Sequence, residues 1–316
     1  MMNSSNEYDQ MEQIAETRDL ALDSELRSLF TLLDDPDPRV AEAVTERIRK
    51  RGRDVIPHLL DFIDITSEPL ARERAEGLTS EFHTDRLTRE LEEITIRMID
   101  DDPLAFEDGV FLIARFGNPR LNVPELRAEL DSFAEMLNYR ITGLSSALEV
   151  LHEVNHFFFE DLRFRGNHAK FLEPENSYID KVIERRMGIP ISLAIVYLLI
   201  TRRLGLPFSG ASAPGHFLIR YDGLHTEALF IDAFNGGVLL RERNIKHYLD
   251  GSGLPFNKQF LEPALPQQIL LRMIRNLIIV FSERGNMPAR GAFEGFMRIL
   301  APNAAEGQAF LRGLEG

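Results

Sequence analysis

Cysteine is absent from the chain. Disulfides, thiolate zinc sites, iron–sulfur clusters and thiol catalysis are therefore excluded outright. Positive charge is in deficit. Lys and Arg number 36 against 50 Asp and Glu, a net charge of −14, and no basic stripe offsets it. That balance disfavours broad binding to a nucleic-acid backbone and to an anionic membrane surface. Long apolar runs are missing as well: no stretch reaches the length of a membrane span. The first twenty residues, MMNSSNEYDQMEQIAETRDL, hold no apolar core of signal-peptide length. The expectation is a cytoplasmic protein with no membrane partner, no nucleic-acid partner and no cofactor.

What is present suits a globular chain. At 44% hydrophobic and 27% charged over 316 residues, it has the material for two domains or for one domain with helical appendages. The organising stretch is PISLAIVYLLITRRLGLP, Pro190 to Pro207. Proline suits a first helical turn, where its missing N–H would have no partner. ISLAIVYLLI is apolar on every face, so the helix is expected to be enclosed. Arg202 and Arg203 complement the dipole at its end, and Gly205 with Pro207 stops it.

The rest of the chain arranges itself around this post. Residues 1–22 are polar and expected to fray. Residues 23–103 read as helices joined by Asp-Pro turns, such as DDPDPRV at Asp34 to Val40, a HEAT-like pattern. Residues 104–262 hold the core. Helices are expected over FEDGVFLIARFG, from about Val123 to Leu137, and from about Ser145 to Phe159. FRGNHAKFLEPE is loop text. NSYIDKVIERRMG reads as a helix with Ser177 and Asp180 as a capping pair and Gly188 as its end. Beyond Pro207 the period changes to two, and FSGASA, HFLIRY and EALFIDAF read as strands. Residues 263–316 read as a helical hairpin turning at Arg284, Gly285 and Asn286. The fold class expected is α+β, a buried helix against a small antiparallel sheet.

Two strands carry chemistry. If HFLIRY and EALFIDAF form a hairpin turning at Leu224, facing residues have numbers summing to 448, as His216 and Asp232 do. Facing residues share a side with Cβ atoms ~4.5–5.5 Å apart. A carboxylate there would fix the tautomer of the imidazole and raise its basicity. Geometry alone favours a plainer role, a hydrogen bond that staples two strands. A second pattern, LHEVNH, contains H-E-x-x-H. On a helix His152 and His156 would share a face for zinc, with Glu153 as general base. Phe159 and Leu162 stand where the continuation of that motif needs Gly and His, so two exposed helix histidines are the favoured reading. His225 is expected in the hairpin turn, and His58, His83, His168 and His247 form no constellation. Arg185, Arg186, Arg202 and Arg203 are expected on helix surfaces.

The run from FRGNHAKFLEPENSYIDKVIERRMGIPISLAIVYLL to HFLIRY and LFIDAFNGG resembles the SirB-like branch of the transglutaminase-like superfamily. The resemblance covers about residues 104–300 and is dense from Asn155 to Gly237. It implies a papain-like fold, with a nucleophilic cysteine at the start of a buried helix and a His and an Asp from adjacent strands. It also implies tetratricopeptide-like helices after the core. His216 and Asp232 match the last two members by motif and order. The cysteine position falls at or near Pro190, which has no nucleophile. Ser192 is the nearest hydroxyl, about 200° round the helix from Pro190. Its plainer role is to bond a free backbone group in the first turn. Three functions follow: a non-catalytic binding or scaffolding module for protein or peptide, a hydrolase using Ser192 or water with His216 and Asp232, and a zinc peptidase.

Overall fold

A computed structural model describes residues 24–223 and 227–301. The expectations for residues 1–22, for His225 and for the chain beyond residue 301 fall outside the described residues. The chain divides into two compact units, one ending at Leu87 and one beginning at Thr88. Among the described residues no helix is long and apolar enough to cross a membrane.

The first unit is helical. Residues 24–31 lead into Pro38–Arg51, Ile56–Ile65 and the part of the long helix Pro69–Ile99 that precedes Thr88. Pro38 opens its helix, and the Asp37 side chain accepts the Arg39 N–H at 2.9 Å, which satisfies one of the donors a helix start leaves over. The apolar stripe foreseen at Leu26, Leu29, Phe30 and Leu33 is buried, packed with Val44, Ile48 and Leu59.

The second unit is built round the helix Pro190–Arg203, in which every residue from Ile191 to Thr201 is buried. An all-apolar surface finds burial only if every side is covered. It is covered by the helices Val123–Ile141, Ile179–Arg185 and Pro266–Glu283 and by a four-stranded sheet. Gly205 ends it with a positive φ of 62°. Of its last-turn arginines, Arg202 is exposed, as expected, and Arg203 is half-buried. Arg202 lies over the Phe106 ring at 4.5 Å, and Arg203 pairs with Glu107 at 2.6 Å and Asp131 at 2.6 Å. Arg186 likewise sits over Phe133 at 4.7 Å and Phe164 at 5.1 Å. Guanidinium planes stack on aromatic faces readily, which lets such charge lie half-buried.

Two short strands, β1 (Arg165–Gly166) and β2 (Met187–Gly188), pair in parallel just before the central helix. The main sheet is antiparallel, β3 (Phe208–Ala213), β4 (His216–Tyr221), β5 (Leu229–Asp232) and β6 (Val238–Leu240) in that order. The first three are the strands read from sequence; β6 was not foreseen. The sheet is buried on both faces. Phe208 and Tyr221 pack towards Tyr197 of the central helix. Ala211, Leu218 and Phe230 pack with Ile245 and Leu249 of the helix Glu242–Gly251.

Two local expectations need correction. Ser177 and Asp180 do not form a capping pair: the Ser177 hydroxyl and one Asp180 oxygen are buried without partners, and the other Asp180 oxygen accepts from Asn118 Nδ2 at 3.1 Å. The helix ends at Arg185, followed by Arg186 at φ 52°, rather than at Gly188, which β2 claims. The closing hairpin, Pro266–Glu283 and Met287–Leu300, turns at Gly285 with φ 67° as read. It buries Phe281, Phe293 and Phe296, with Phe116 set against Phe293 at 4.5 Å.

Ile195 is fully buried at the middle of the central helix. Ile195→Ala is expected to cost about 2–5 kcal/mol in denaturant unfolding. Lys246→Ala, on an exposed helix face, is expected to stay within about 0.5 kcal/mol of wild type.

Candidate functional site

His216 opens β4 and Asp232 closes β5. The hairpin register differs from the one expected. Arg220 faces Phe230 and Ile219 faces Ile231, which continues to Leu218, not His216, opposite Asp232. The shift is by two residues, so parity is kept and His216 and Asp232 remain on one face as diagonal neighbours. Diagonal Cβ atoms lie ~7–8 Å apart, within reach of two polar side chains. The His216 Nε2 to Asp232 Oδ2 distance is 2.7 Å. The face is that of Leu218 and Phe230, and the His216 ring lies 6.4 Å from the Tyr248 ring of the helix Glu242–Gly251.

Asp232 is 6% exposed, and its carboxylate is saturated with donors. Oδ1 accepts the backbone N–H groups of Phe234 at 3.1 Å and Asn235 at 3.1 Å. Oδ2 accepts Asn235 Nδ2 at 2.8 Å beside the imidazole. Burial pushes the carboxyl pKa up, but the bonds from His216 and Asn235 outweigh it and leave the group below its ordinary value. An ionised carboxylate only accepts, so Nε2 carries the proton of a neutral His216. Nδ1 is then the free acceptor of the ring.

A second network fixes the chain after Asp232. The Gly237 N–H bonds the Asp232 carbonyl at 2.8 Å. Asn155 Nδ2 donates to the Gly237 carbonyl at 2.9 Å, and Asn155 Oδ1 accepts from the Tyr197 hydroxyl at 3.0 Å. Gly237 needs its missing side chain: φ is +79°, and a Cβ there would lie 2.4 Å from the Phe159 ring. The start of the central helix reaches the same place by another route. Gly188 of β2 pairs with Gly166 of β1, and a Cβ on Gly166 would lie 2.5 Å from the Phe234 carbonyl. Phe234 also meets the His168 ring at 4.3 Å and the Phe171 ring at 5.8 Å.

Ser192 is fully buried at that helix start. Its hydroxyl accepts the Ile189 N–H at 3.0 Å and lies 2.5 Å from the Asn176 carbonyl, which takes its proton. The oxygen is thus engaged with backbone on both counts. The H-E-x-x-H residues are placed on the helix Ala147–His156 and its end. His152 is exposed, Glu153 pairs with Arg140 at 2.6 Å, and His156 lies 3.4 Å from Asp161. Among the described residues no group of three or more His, Asp or Glu side chains is arranged to hold a metal ion.

Sequence reasoning missed Asn235, which reads there only as a strand terminator, and Tyr248 and Arg272, whose helices give no local sign of where they dock. Tyr197 also escapes a local reading, since it is one polar group on an otherwise packing surface.

Two outcomes follow. The hydrogen bonds to Asp232 stabilise the fold fully above the ordinary carboxylate pKa of ~3.9, and that stabilisation is lost as pH falls through the lower folded value. The stability gap between wild type and Asp232→Asn is therefore expected to shrink as pH falls below about 4 in denaturant titrations. Ser192→Ala strands the Ile189 N–H and the Asn176 carbonyl, and is expected to cost about 1–3 kcal/mol by the same measurement.

Comparison with known proteins places these features. Residues 124–275 match the family described as the Transglutaminase-like superfamily. A UPF0162 protein of Xylella fastidiosa is 34% identical over 223 residues, 67% of this chain and 77% of that protein. Protein SirB1 of Salmonella typhimurium is 28% identical over 157 residues, 49% of this chain and 57% of its own length. F-box only protein 21 of Homo sapiens is 26% identical over 214 residues, 58% of this chain and 34% of that protein. No solved structure matches. The matched span contains the buried helix, all four strands of the main sheet and both members of the His216–Asp232 pair, and with these relatives the chain belongs to the SirB-like branch of the transglutaminase-like superfamily.

Proposed function

We propose that this chain is a thiol-free transglutaminase-like protein that binds a protein or peptide segment at the His216–Asp232 face without turning it over. The observation that carries this reading is the combination of an intact, fully bonded pair with no nucleophile to serve. The sequence contains no cysteine, and the hydroxyl nearest the helix start, that of Ser192, is buried and spent on backbone. A nucleophile must be exposed to its acyl target and within hydrogen-bond reach of its base. Nδ1 of His216, by contrast, remains an acceptor suited to an N–H or O–H of a ligand.

The surroundings favour a peptide over a small polar molecule. Phe171 is 46% exposed and leans on Phe234, Val238 is 51% exposed and pairs with Asp232 on β6, and Tyr248 is 53% exposed beside His216. Exposed apolar side chains gathered round a few polar groups are what a partner surface offers. The matched region is about a third of F-box only protein 21, so the same kind of domain also occurs inside a longer protein. In this reading, residues 23–103 are a HEAT-like domain, 104–262 the transglutaminase-like core and 263–316 a shortened tetratricopeptide-like hairpin, with the flanking helices as further partner surface. The working location is the cytoplasm, and nucleic acid is not a partner.

The test is a random peptide array probed with wild type, His216→Ala and Asp232→Asn. Wild type is expected to retain a consistent set of sequences. Both variants are expected to lose at least roughly tenfold in signal on that set, the loss of one buried polar contact. Retention of the same set by His216→Ala at wild-type strength overturns the reading.

A further inference from the structure

We propose that Arg272 is the positioning residue of the His216 site, and that through it the C-terminal helical hairpin sets the geometry of that site. The proposal rests on the reading of His216–Asp232 as the recognition site, but its test needs no ligand.

The β3–β4 connection is a two-residue turn, Pro214-Gly215, between the paired residues Ala213 and His216. Gly215 has φ +73°, and the proline ring fixes its own φ near −65°. Proline followed by a left-handed glycine is the signature of a type II turn. Two-residue hairpins favour the mirror-image types instead, because a type II turn splays the strands it joins. The residue at risk is the first of β4, His216. A splay there would carry the imidazole away from Asp232, whose place is fixed independently by Phe234, Asn235 and Gly237.

Arg272 closes this gap from the helix Pro266–Glu283. Nη1 donates to the Ala213 carbonyl at 3.0 Å and to Ser212 Oγ at 3.1 Å, and Nη2 donates to the His216 carbonyl at 3.2 Å. One planar fork therefore grips the two residues on either side of the turn. Among the described residues no carboxylate pairs with Arg272. Burial, with a smaller contribution from Arg275, brings its pKa down to about 10, still charged at neutral pH. A buried guanidinium with only neutral acceptors is a costly way to stabilise a turn. It is an effective way to fix one backbone position. The same contact ties the hairpin of residues 266–300 to the pair on the sheet.

The experiment is nitrogen-15 NMR of histidine-labelled full-length chain, free of ligand, comparing wild type, Arg272→Gln, Arg272→Lys and the distant surface control Arg298→Gln. In wild type and the control, His216 is expected as a single Nε2–H tautomer with a slowly exchanging ring proton. In Arg272→Gln, that proton is expected to exchange with water at least roughly tenfold faster, with the other histidine signals unmoved. Arg272→Lys keeps the charge but loses the planar fork, and is expected to fall between the two. Wild-type exchange in a folded Arg272→Gln overturns the proposal. Should that variant not fold, wild-type exchange in Arg272→Lys overturns it equally. The peptide array fails or succeeds separately, so the loss of one claim leaves the other readable.

Discussion

The carboxylate of Asp232 is the constraint on which the site depends. It is buried, and burial alone would neutralise it; four donors from three residues keep it charged instead. A charge held that way cannot shift without stranding several bonds at once. His216 is oriented against it, and the chain from Phe234 to Gly237 is folded round it. The networks beyond inherit that fixity. Asn155 and Tyr197 carry it to the centre of the buried helix, and Gly166 and Phe234 carry it to the helix start.

Superfamily membership makes the absent thiol the central chemical fact. In the arrangement that the family resemblance implies, His and Asp exist to activate a cysteine. Here the place of that residue falls at or near a proline that serves as the first residue of the helix. The polar groups at that helix start are turned inward: Ser192 closes the Ile189 N–H and the Asn176 carbonyl, and Asn176 in turn bonds Asn167 and the Lys170 and Phe171 carbonyls. That is the organisation of a structural junction. The His–Asp pair nevertheless keeps every bond it needs.

Much of the fold was legible because its signals are local. The enclosed helix announced itself by an apolar run with a proline at one end and Gly205 at the other. β3, β4 and β5 showed as a change of period, and the last hairpin by Arg284-Gly285-Asn286. The pairing of His216 with Asp232 was legible for a subtler reason. The register expected was off by two residues, but alternation preserves the face under such a shift, so the conclusion survived its own premise. What failed was what depends on distant packing. Ser177 and Asp180 have the spacing of a cap, yet the helix begins one residue later, with Tyr178 in the N-cap position, and leaves them buried. Arg203 and Arg186 look like surface charge until Glu107, Phe133 and Phe164 arrive from elsewhere in the chain. Arg272 lies 56 residues from His216 in sequence, with nothing nearby to mark its destination.

The most direct measurement of the central claim is a turnover assay. Wild type and His216→Ala would be incubated at high concentration with a broad panel of amide, ester and thioester acyl substrates, with and without amine acceptors. The account predicts that both proteins release product at the same rate, that of buffer alone. Product formation by wild type that disappears in His216→Ala would contradict it, and would show that the pair still activates a nucleophile that this chain does not carry as a thiol.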